Sequence, residues 1–183
     1  MSREEELKFT VPSLVTLRAR LLEFGWQPSK GPILEENWVL DDRKGNLRQR
    51  GCLLRVRRWG EQKTLTFKGP ARFRRGVKER EELEVAVSDE QVVLSILASL
   101  GFAVAFRYQK LREELVAGVV KASLDSTPMG DFLELEGPGE EIRRTAAALG
   151  LVPEQALTGS YLELWQKFRA GHPELPEDMV FAR

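Results

Sequence analysis

The sequence predicts an α+β fold in which an antiparallel β-sheet closes into a barrel, with helices packed outside it. Three observations lead there. Seven short stretches place charged or polar residues at every second position with apolar ones between: Glu4-x-Glu6-x-Lys8, Arg55-x-Arg57, Thr66-x-Lys68, Glu82-x-Glu84, Lys110-x-Arg112, Lys121-x-Ser123-x-Asp125 and Glu134-x-Glu136. Strand side chains alternate between faces, so one face collects these charges and the other collects Leu54, Val56, Leu65, Phe67, Leu83, Val85, Leu124, Leu133 and Leu135. Glycine-bearing turns such as Gly60-Glu61 and Ala117-Gly118 join consecutive stretches into hairpins. Finally, Glu-x-Glu recurs near both ends of the strand set, where the two sheet edges meet if the sheet closes.

Each element follows from its own residues. A first strand, about Glu4 to Thr10, runs into Pro12-Ser13, a helix start, after which Leu14, Leu17, Leu21 and Leu22 recur at helical spacing until Gly25. Leu34 to Leu40 reads as the next strand, and Asp41 to Gly51 as a polar loop. Cys52 to Trp59 and Lys63 to Lys68 flank the Gly60-Glu61 turn. After Gly69-Pro70, a basic loop from Arg72 to Gly76 leads into a strand from about Val77 to Val87. Its phase groups Lys78, Arg80, Glu82 and Glu84 on one face. Ser88-Asp89-Glu90-Gln91 is a capping pattern for a second helix, Asp89 to Leu100, closed by Gly101. A long strand from about Val104 to Leu115 turns into Val119 to Asp125, and Pro128 to Gly130 links this to Phe132 through Glu136. Pro138 to Leu149 and Ser160 to Phe168 supply two more helices, so residues 1–170 form one domain and 171–183 a proline-broken tail.

Composition narrows the chemistry. At 183 residues the chain is long enough for a real core and short for two domains. Lys plus Arg and Asp plus Glu are each 28, so no charge excess argues for nucleic acid or an anionic membrane as partner. A single cysteine, Cys52, and a single histidine, His172 in the tail, leave zinc chemistry and a serine or cysteine triad without their parts. The chain opens into Arg3-Glu4-Glu5-Glu6 rather than an apolar secretory core and holds no stretch of membrane-span length, which predicts a soluble, cytoplasmic protein.

An enclosed ionic face carries carboxylates suited to hard divalent cations and Lys or Arg suited to phosphates. Glu4 with Glu6, and Glu134 with Glu136, project side by side and can share Mg²⁺ or Mn²⁺. Arg55, Arg57, Lys68, Lys110 and Arg112 can neutralise phosphate charge, Arg as a bidentate fork and Lys as a point charge. The competing account is a cross-strand salt-bridge ladder with no ligand, or a solvated sheet face.

The ordered set Glu4-x-Glu6-x-Lys8, Leu54-Arg55-Val56-Arg57, Leu65-Thr66-Phe67-Lys68-Gly69-Pro70, Arg80-x-Glu82-x-Glu84, Lys110-x-Arg112, Asp125 and Gly130-Asp131-Phe132-Leu133-Glu134-Leu135-Glu136 resembles the CYTH domain proteins, also called triphosphate tunnel metalloenzymes. The resemblance spans residues 4 to about 165. It implies an eight-stranded antiparallel tunnel, a small-molecule triphosphate in its bore, and Mg²⁺ or Mn²⁺ as cofactor. It implies Glu4, Glu6, Glu134 and Glu136 as metal ligands or neighbouring acids, with Asp125 added to them. Lys8, Arg55, Arg57, Lys68, Lys110 and Arg112 would grip phosphate, and Glu82 and Glu84 would hold a second ion or orient water. Glu4, Glu6, Lys8, Glu82 and Glu84 are thus the catalytic candidates. Relatives include triphosphatases acting on tripolyphosphate or thiamine triphosphate and class IV adenylate cyclases, and the motif does not separate them. Hydrolysis of tripolyphosphate, thiamine triphosphate or a nucleoside triphosphate is favoured over cyclisation of ATP to cyclic AMP and pyrophosphate, and a non-catalytic polyphosphate or nucleotide binding module is the third reading.

Other features take bland readings. Trp26, Trp38, Trp59 and Trp165 are expected in packing, with Trp59, which follows the Arg pair, the candidate for stacking on a substrate ring. Cys52 is expected as a small buried residue. The tail, ending Met179-Val180-Phe181, is expected to fold back over a tunnel mouth or to pack on a second subunit in a homodimer.

Overall fold

The computed structural model describes residues 2–74 and 77–182, without the side chains of residues 2–4, 74 and 153. The strands run β1 (Ser2–Val11), β2 (Gln27–Asp42), β3 (Leu53–Trp59), β4 (Gln62–Lys68), β5 (Arg72–Arg74), β6 (Val77–Ala86), β7 (Phe102–Ala117), β8 (Val120–Thr127) and β9 (Gly130–Glu136). Their order is β1-β9-β8-β7-β2-β3-β4-β6, and β6 pairs back onto β1, so eight antiparallel strands close into a barrel. β5 extends the sheet beside the start of β6.

Register decides which side chains share the bore. Cross-strand partners project to the same side. Lys8 faces Glu134, Glu6 faces both Glu136 and Lys78, Lys68 faces Glu82, Thr66 faces Arg55 and Glu84, and Glu35 faces Lys110. These side chains line the interior; the alternate set points outward into two apolar layers, and a third apolar cluster forms at one end of the barrel.

Helices α1 (Leu14–Glu23) and α4 (Gly139–Ala148) cover the first layer, setting Leu21, Ile142 and Ala146 against Leu7, Phe9, Leu124, Leu133 and Leu135. The helix α3 (Glu90–Ser99) lays Leu97 over Trp38, Leu40 and Val56. It is capped by Asp89, which accepts from the amides of Gln91 and Val92. The helix α5 (Tyr161–Ala170) opens with a Ser160–Glu163 capping box and packs Tyr161 and Trp165 against Phe106, Tyr108 and Phe132. These last three residues belong to the inner face, so α5 enters one end of the barrel.

Three elements exceed the sequence expectation. β2 begins at Gln27 rather than Leu34, because bulges between Pro28 and Ile33 absorb a Gly-Pro pair that reads as a breaker while pairing with β7 continues. Gly31, at φ +94°, sits so close to Arg112 that a Cβ there would collide with its backbone carbonyl. Within the expected basic loop, Arg72–Arg74 form β5, held by β6; within the expected polar loop, Asn46–Gln49 form a single helical turn, α2.

The tail stays with its own chain. β8 pairs with β7 only from Leu111 onward, and Met179 takes over on that edge, donating its amide to the Arg107 carbonyl at 3.0 Å and accepting from Gln109 at 2.8 Å. The Met179 side chain is fully buried with Trp165. Among the described residues no helix is long and apolar enough to cross a membrane.

Candidate active site

The bore holds a cavity of about 670 Å³. Among the described residues, ten cationic and seven acidic side chains line it. A chain with no net charge thus concentrates positive charge inside its barrel.

Three carboxylates converge where β1 meets β9. Oxygens of Glu6, Glu134 and Glu136 lie within 4.8 Å of one another, because the register sets Glu6 opposite Glu136 and one pair away from Glu134. Each meets a cation: Lys78 is 2.6 Å from Glu6, Lys8 is 3.1 Å from Glu134, and Lys121 is 2.7 Å from Glu136. Burial works to raise the Glu6 carboxyl, but Lys78 and Lys8 outweigh it and hold the group at about 2. Glu134 is likewise buried and is driven well below the usual carboxylate range by Lys110, Lys8 and Arg112. Glu6 and Glu134 are therefore anionic at neutral pH.

On the adjoining wall, Asp125 binds the bore's cations. Both its oxygens accept from Arg112 at 2.6 Å, and one also accepts from Lys110 at 2.9 Å and from the Tyr161 hydroxyl at 2.7 Å. Arg112 also donates to Glu134. Glu35 lies fully buried beyond this group, 3.4 Å from Lys110 and 3.8 Å from Arg112. Burial works to raise its carboxyl, and Lys110, Arg112, Arg57 and Arg55 together push it far below normal. The Tyr161 ring sits under the Lys8 ammonium, 4.0 Å from its centroid, and stacks on Tyr108. Burial and the neighbouring Asp125 and Glu134 charges raise the Tyr161 hydroxyl well above its usual value. It serves as a hydrogen-bond donor.

The opposite wall carries Arg55, Arg57 and Lys68 on β3 and β4 with Glu82 and Glu84 on β6. Arg57 is 3.3 Å from Glu84, Thr66 donates to Glu84 at 2.7 Å, Lys68 is 3.3 Å from Glu82, and Arg55 donates to the Tyr108 hydroxyl at 3.2 Å. Burial works to raise Glu84, and Arg57 with the Thr66 hydrogen bond lowers it below the usual range.

The structure therefore brings Glu6, Lys8, Arg55, Arg57, Lys68, Glu82, Glu84, Lys110, Arg112, Glu134 and Glu136 to one cavity. Glu4 pairs with Arg80 in the sheet, and its side chain lies outside the described residues. Asp125 stands outside the three-carboxylate cluster, with both oxygens committed to cations and Tyr161. Sequence reasoning left Glu35, Lys78 and Arg80 out of the site. Lys78 and Arg80 share the phase of Glu82 and Glu84 and were open to that inference, whereas Glu35 sits in a stretch without repeated ionic alternation. Among the described residues no tryptophan lines the cavity: Trp26, Trp38 and Trp165 belong to the outer layers and the α5 cluster, and the Trp59 ring is covered by the Lys30 ammonium at 3.6 Å.

Comparison with known proteins agrees with this geometry. The CYTH domain model matches residues 2–150. A Methanocaldococcus jannaschii protein named "Putative adenylate cyclase MJ0240" is 31% identical over 172 residues, covering 88% of this chain and 97% of the relative. A Vibrio parahaemolyticus structure with a similar designation superposes at a TM-score of 0.78 with 20% identity, covering 89% of this chain and 97% of the other. The Hippeastrum protein HpAC1, designated an adenylyl cyclase and described as revealing a dominant triphosphatase activity, superposes at a TM-score of 0.65 with 18% identity, over 96% and 99% of the two chains. With its closed eight-stranded barrel, its ionic bore and a family match over most of its length, the chain belongs to the CYTH domain family.

Proposed function

We propose that the protein is a divalent-metal-dependent phosphohydrolase that removes the terminal phosphate of a triphosphate bound in the barrel. The observation that carries this reading is a three-carboxylate cluster set in a bore where, among the described residues, cations outnumber acids ten to seven. A binding module for polyphosphate needs the Lys and Arg residues alone. Acids converging within 4.8 Å of one another weaken anion binding unless they hold a cation.

The donor set fits Mg²⁺ or Mn²⁺. Both prefer oxygen ligands, and three carboxylates offer oxygens within 4.8 Å of one another. Glu6, Glu134 and Glu136 would hold the ion, which supplies Lewis-acid neutralisation of phosphate charge. The protein's side chains do the rest. Arg55, Arg57, Lys68, Lys110 and Arg112 exchange carboxylate partners for phosphate oxygens, Arg bidentately. Asp125 and Glu35 keep Lys110 and Arg112 in place. Glu84, held anionic by Arg57 and Thr66, orients water for in-line attack on the terminal phosphorus. The bond from that phosphorus to the bridging oxygen breaks, and the shortened phosphate leaves with the oxygen.

The names of the relatives favour a second reading, cyclisation of ATP to cyclic AMP and pyrophosphate, which needs the same grip but attack on the α phosphorus by the ribose 3′ hydroxyl. The HpAC1 description supports hydrolysis as the first choice. Incubation with Mg²⁺ or Mn²⁺ and tripolyphosphate, thiamine triphosphate or ATP, followed by phosphorus NMR, separates the readings. Orthophosphate release establishes hydrolysis. Pyrophosphate with cyclic AMP establishes cyclisation, and binding with no turnover leaves a binding module.

A further inference from the structure

Both tyrosines of the chain line the cavity, and their hydroxyls are engaged differently. Tyr161 gives its hydrogen to Asp125 at 2.7 Å. Tyr108, 5% exposed, stacks its ring on Phe106 and on Tyr161 at centroid distances of 5.8 and 5.6 Å. Its oxygen accepts from Arg55 Nη1 at 3.2 Å, and among the described residues no acceptor takes its own hydrogen. Asn37, opposite it across β2 and β7, keeps its side-chain oxygen unpartnered. Packing in the apolar cluster at this end of the barrel asks only for the ring, a place phenylalanine would fill. A buried hydroxyl with an unused donor is costly unless something in the cavity accepts from it. Arg55, donating into the oxygen, strengthens the hydroxyl as a donor in turn.

Arg55 also fixes where along the site this donor stands. Its Nη2 lies 4.0 Å from Glu84 while its Nη1 reaches Tyr108, so the hydroxyl lies across the guanidinium from the carboxylate that orients water in the proposed reaction. In an in-line displacement the leaving oxygen lies on the far side of phosphorus from the attacking one. Resting on the triphosphatase reading, we infer that Tyr108 is a catalytic residue whose hydroxyl donates to an oxygen of the phosphate next to the one attacked, where negative charge grows as the phosphorus–oxygen bond breaks. Water supplies the new oxygen on the terminal phosphorus, the bridging oxygen leaves with the electron pair of the broken bond, and Tyr108 keeps its proton. A neutral donor already held by Arg55 and by ring stacking meets that charge without reorganising.

Tyr108→Phe keeps the ring and removes the donor. It is compared with the wild type for kcat and KM on tripolyphosphate and ATP in Mg²⁺ and for calorimetric binding of tripolyphosphate without metal, and the same pair is measured again in an Arg55→Met background. With Arg55 in place, kcat should fall roughly a hundredfold or more, the scale of losing one donor preorganised for transition-state charge. Binding of tripolyphosphate should weaken only about two- to tenfold, the net worth of one hydrogen bond. In the Arg55→Met background Tyr108→Phe should still lower kcat several-fold. An unchanged kcat, or a loss confined to KM, overturns the inference. So does a Tyr108→Phe change that costs nothing further once Arg55 is gone, because the tyrosine would then act only by holding that guanidinium. If the wild type releases no orthophosphate from any triphosphate, the hydrolase reading fails by itself and calorimetry decides the contact: it stands if Tyr108→Phe weakens tripolyphosphate about twofold or more in both backgrounds, and falls otherwise.

Discussion

Tyr161, in the first turn of α5, donates its hydroxyl hydrogen bond at 2.7 Å to Asp125 on β8, the same carboxylate that Arg112 and Lys110 share. A helix seated at one end of the barrel is thereby tied to the cations of the bore. Tyr161→Phe keeps the ring under Lys8 and removes the donor. A buried hydrogen bond to a charged group contributes about 1.5–3 kcal/mol, and urea denaturation should show a loss of that size. Activity should fall less than tenfold for Phe and further for Ala, which also removes the cation–π contact.

Glu6→Gln and Glu134→Gln test the carboxylate cluster. Each keeps the side-chain volume and removes one negative charge. Turnover in Mg²⁺ or Mn²⁺ should drop roughly a hundredfold or more, on the scale of losing one preorganised charge-stabilising group. Calorimetry without metal should show tripolyphosphate bound at least as tightly as by the wild type, since an acid facing the anion has gone. Equal loss of binding and turnover would mean that the acids serve only to pair Lys78 and Lys8.

The same acids set the response to low pH. The Glu6 carboxyl lies at about 2 in the folded chain against 4.5 as an ordinary glutamate, and Glu84 and Glu134 are also lowered. A depressed carboxyl stabilises the fold in full above its unfolded value and loses that contribution as protons bind. Urea midpoints should therefore hold above about pH 5 and fall steadily from pH 4.5 toward 2. A midpoint unchanged between pH 6 and pH 3 would contradict the ion pairing described here.

Met179→Ala empties a fully buried site beside Trp165. Truncations of this kind cost about 2–5 kcal/mol. Because the Trp165 indole also donates to the Glu177 carbonyl at 2.9 Å, tryptophan emission should shift to the red and amide exchange in α5 should accelerate. Activity should fall along with them, since α5 carries Tyr161.

Much of this was legible because strands of period two write their inward face directly into the sequence. Glu6, Lys8, Arg55, Arg57, Lys68, Lys110, Arg112, Glu134 and Glu136 were found that way, and the recurrence of Glu-x-Glu anticipated the edges that pair as β1 and β9. Glu35 escaped because β2 alternates Glu35, Asn37 and Val39 inside with Leu34, Glu36 and Trp38 outside, a mixture with no ionic rhythm. The early part of β2 and the whole of β5 depend on strand partners, and a Gly-Pro pair or the triplet Arg72-Phe73-Arg74 carries no local sign of them.

Where β8 leaves β7, Met179 supplies the missing backbone partner. An uncovered strand edge offers its amides and carbonyls to any extended chain that meets it, and is a common origin of edge-to-edge aggregation. The segment around Met179 therefore shields this barrel from its own copies as well as bracing α5. Loosening it would leave this stretch of β7 open to pairing with an extended segment of a neighbouring molecule.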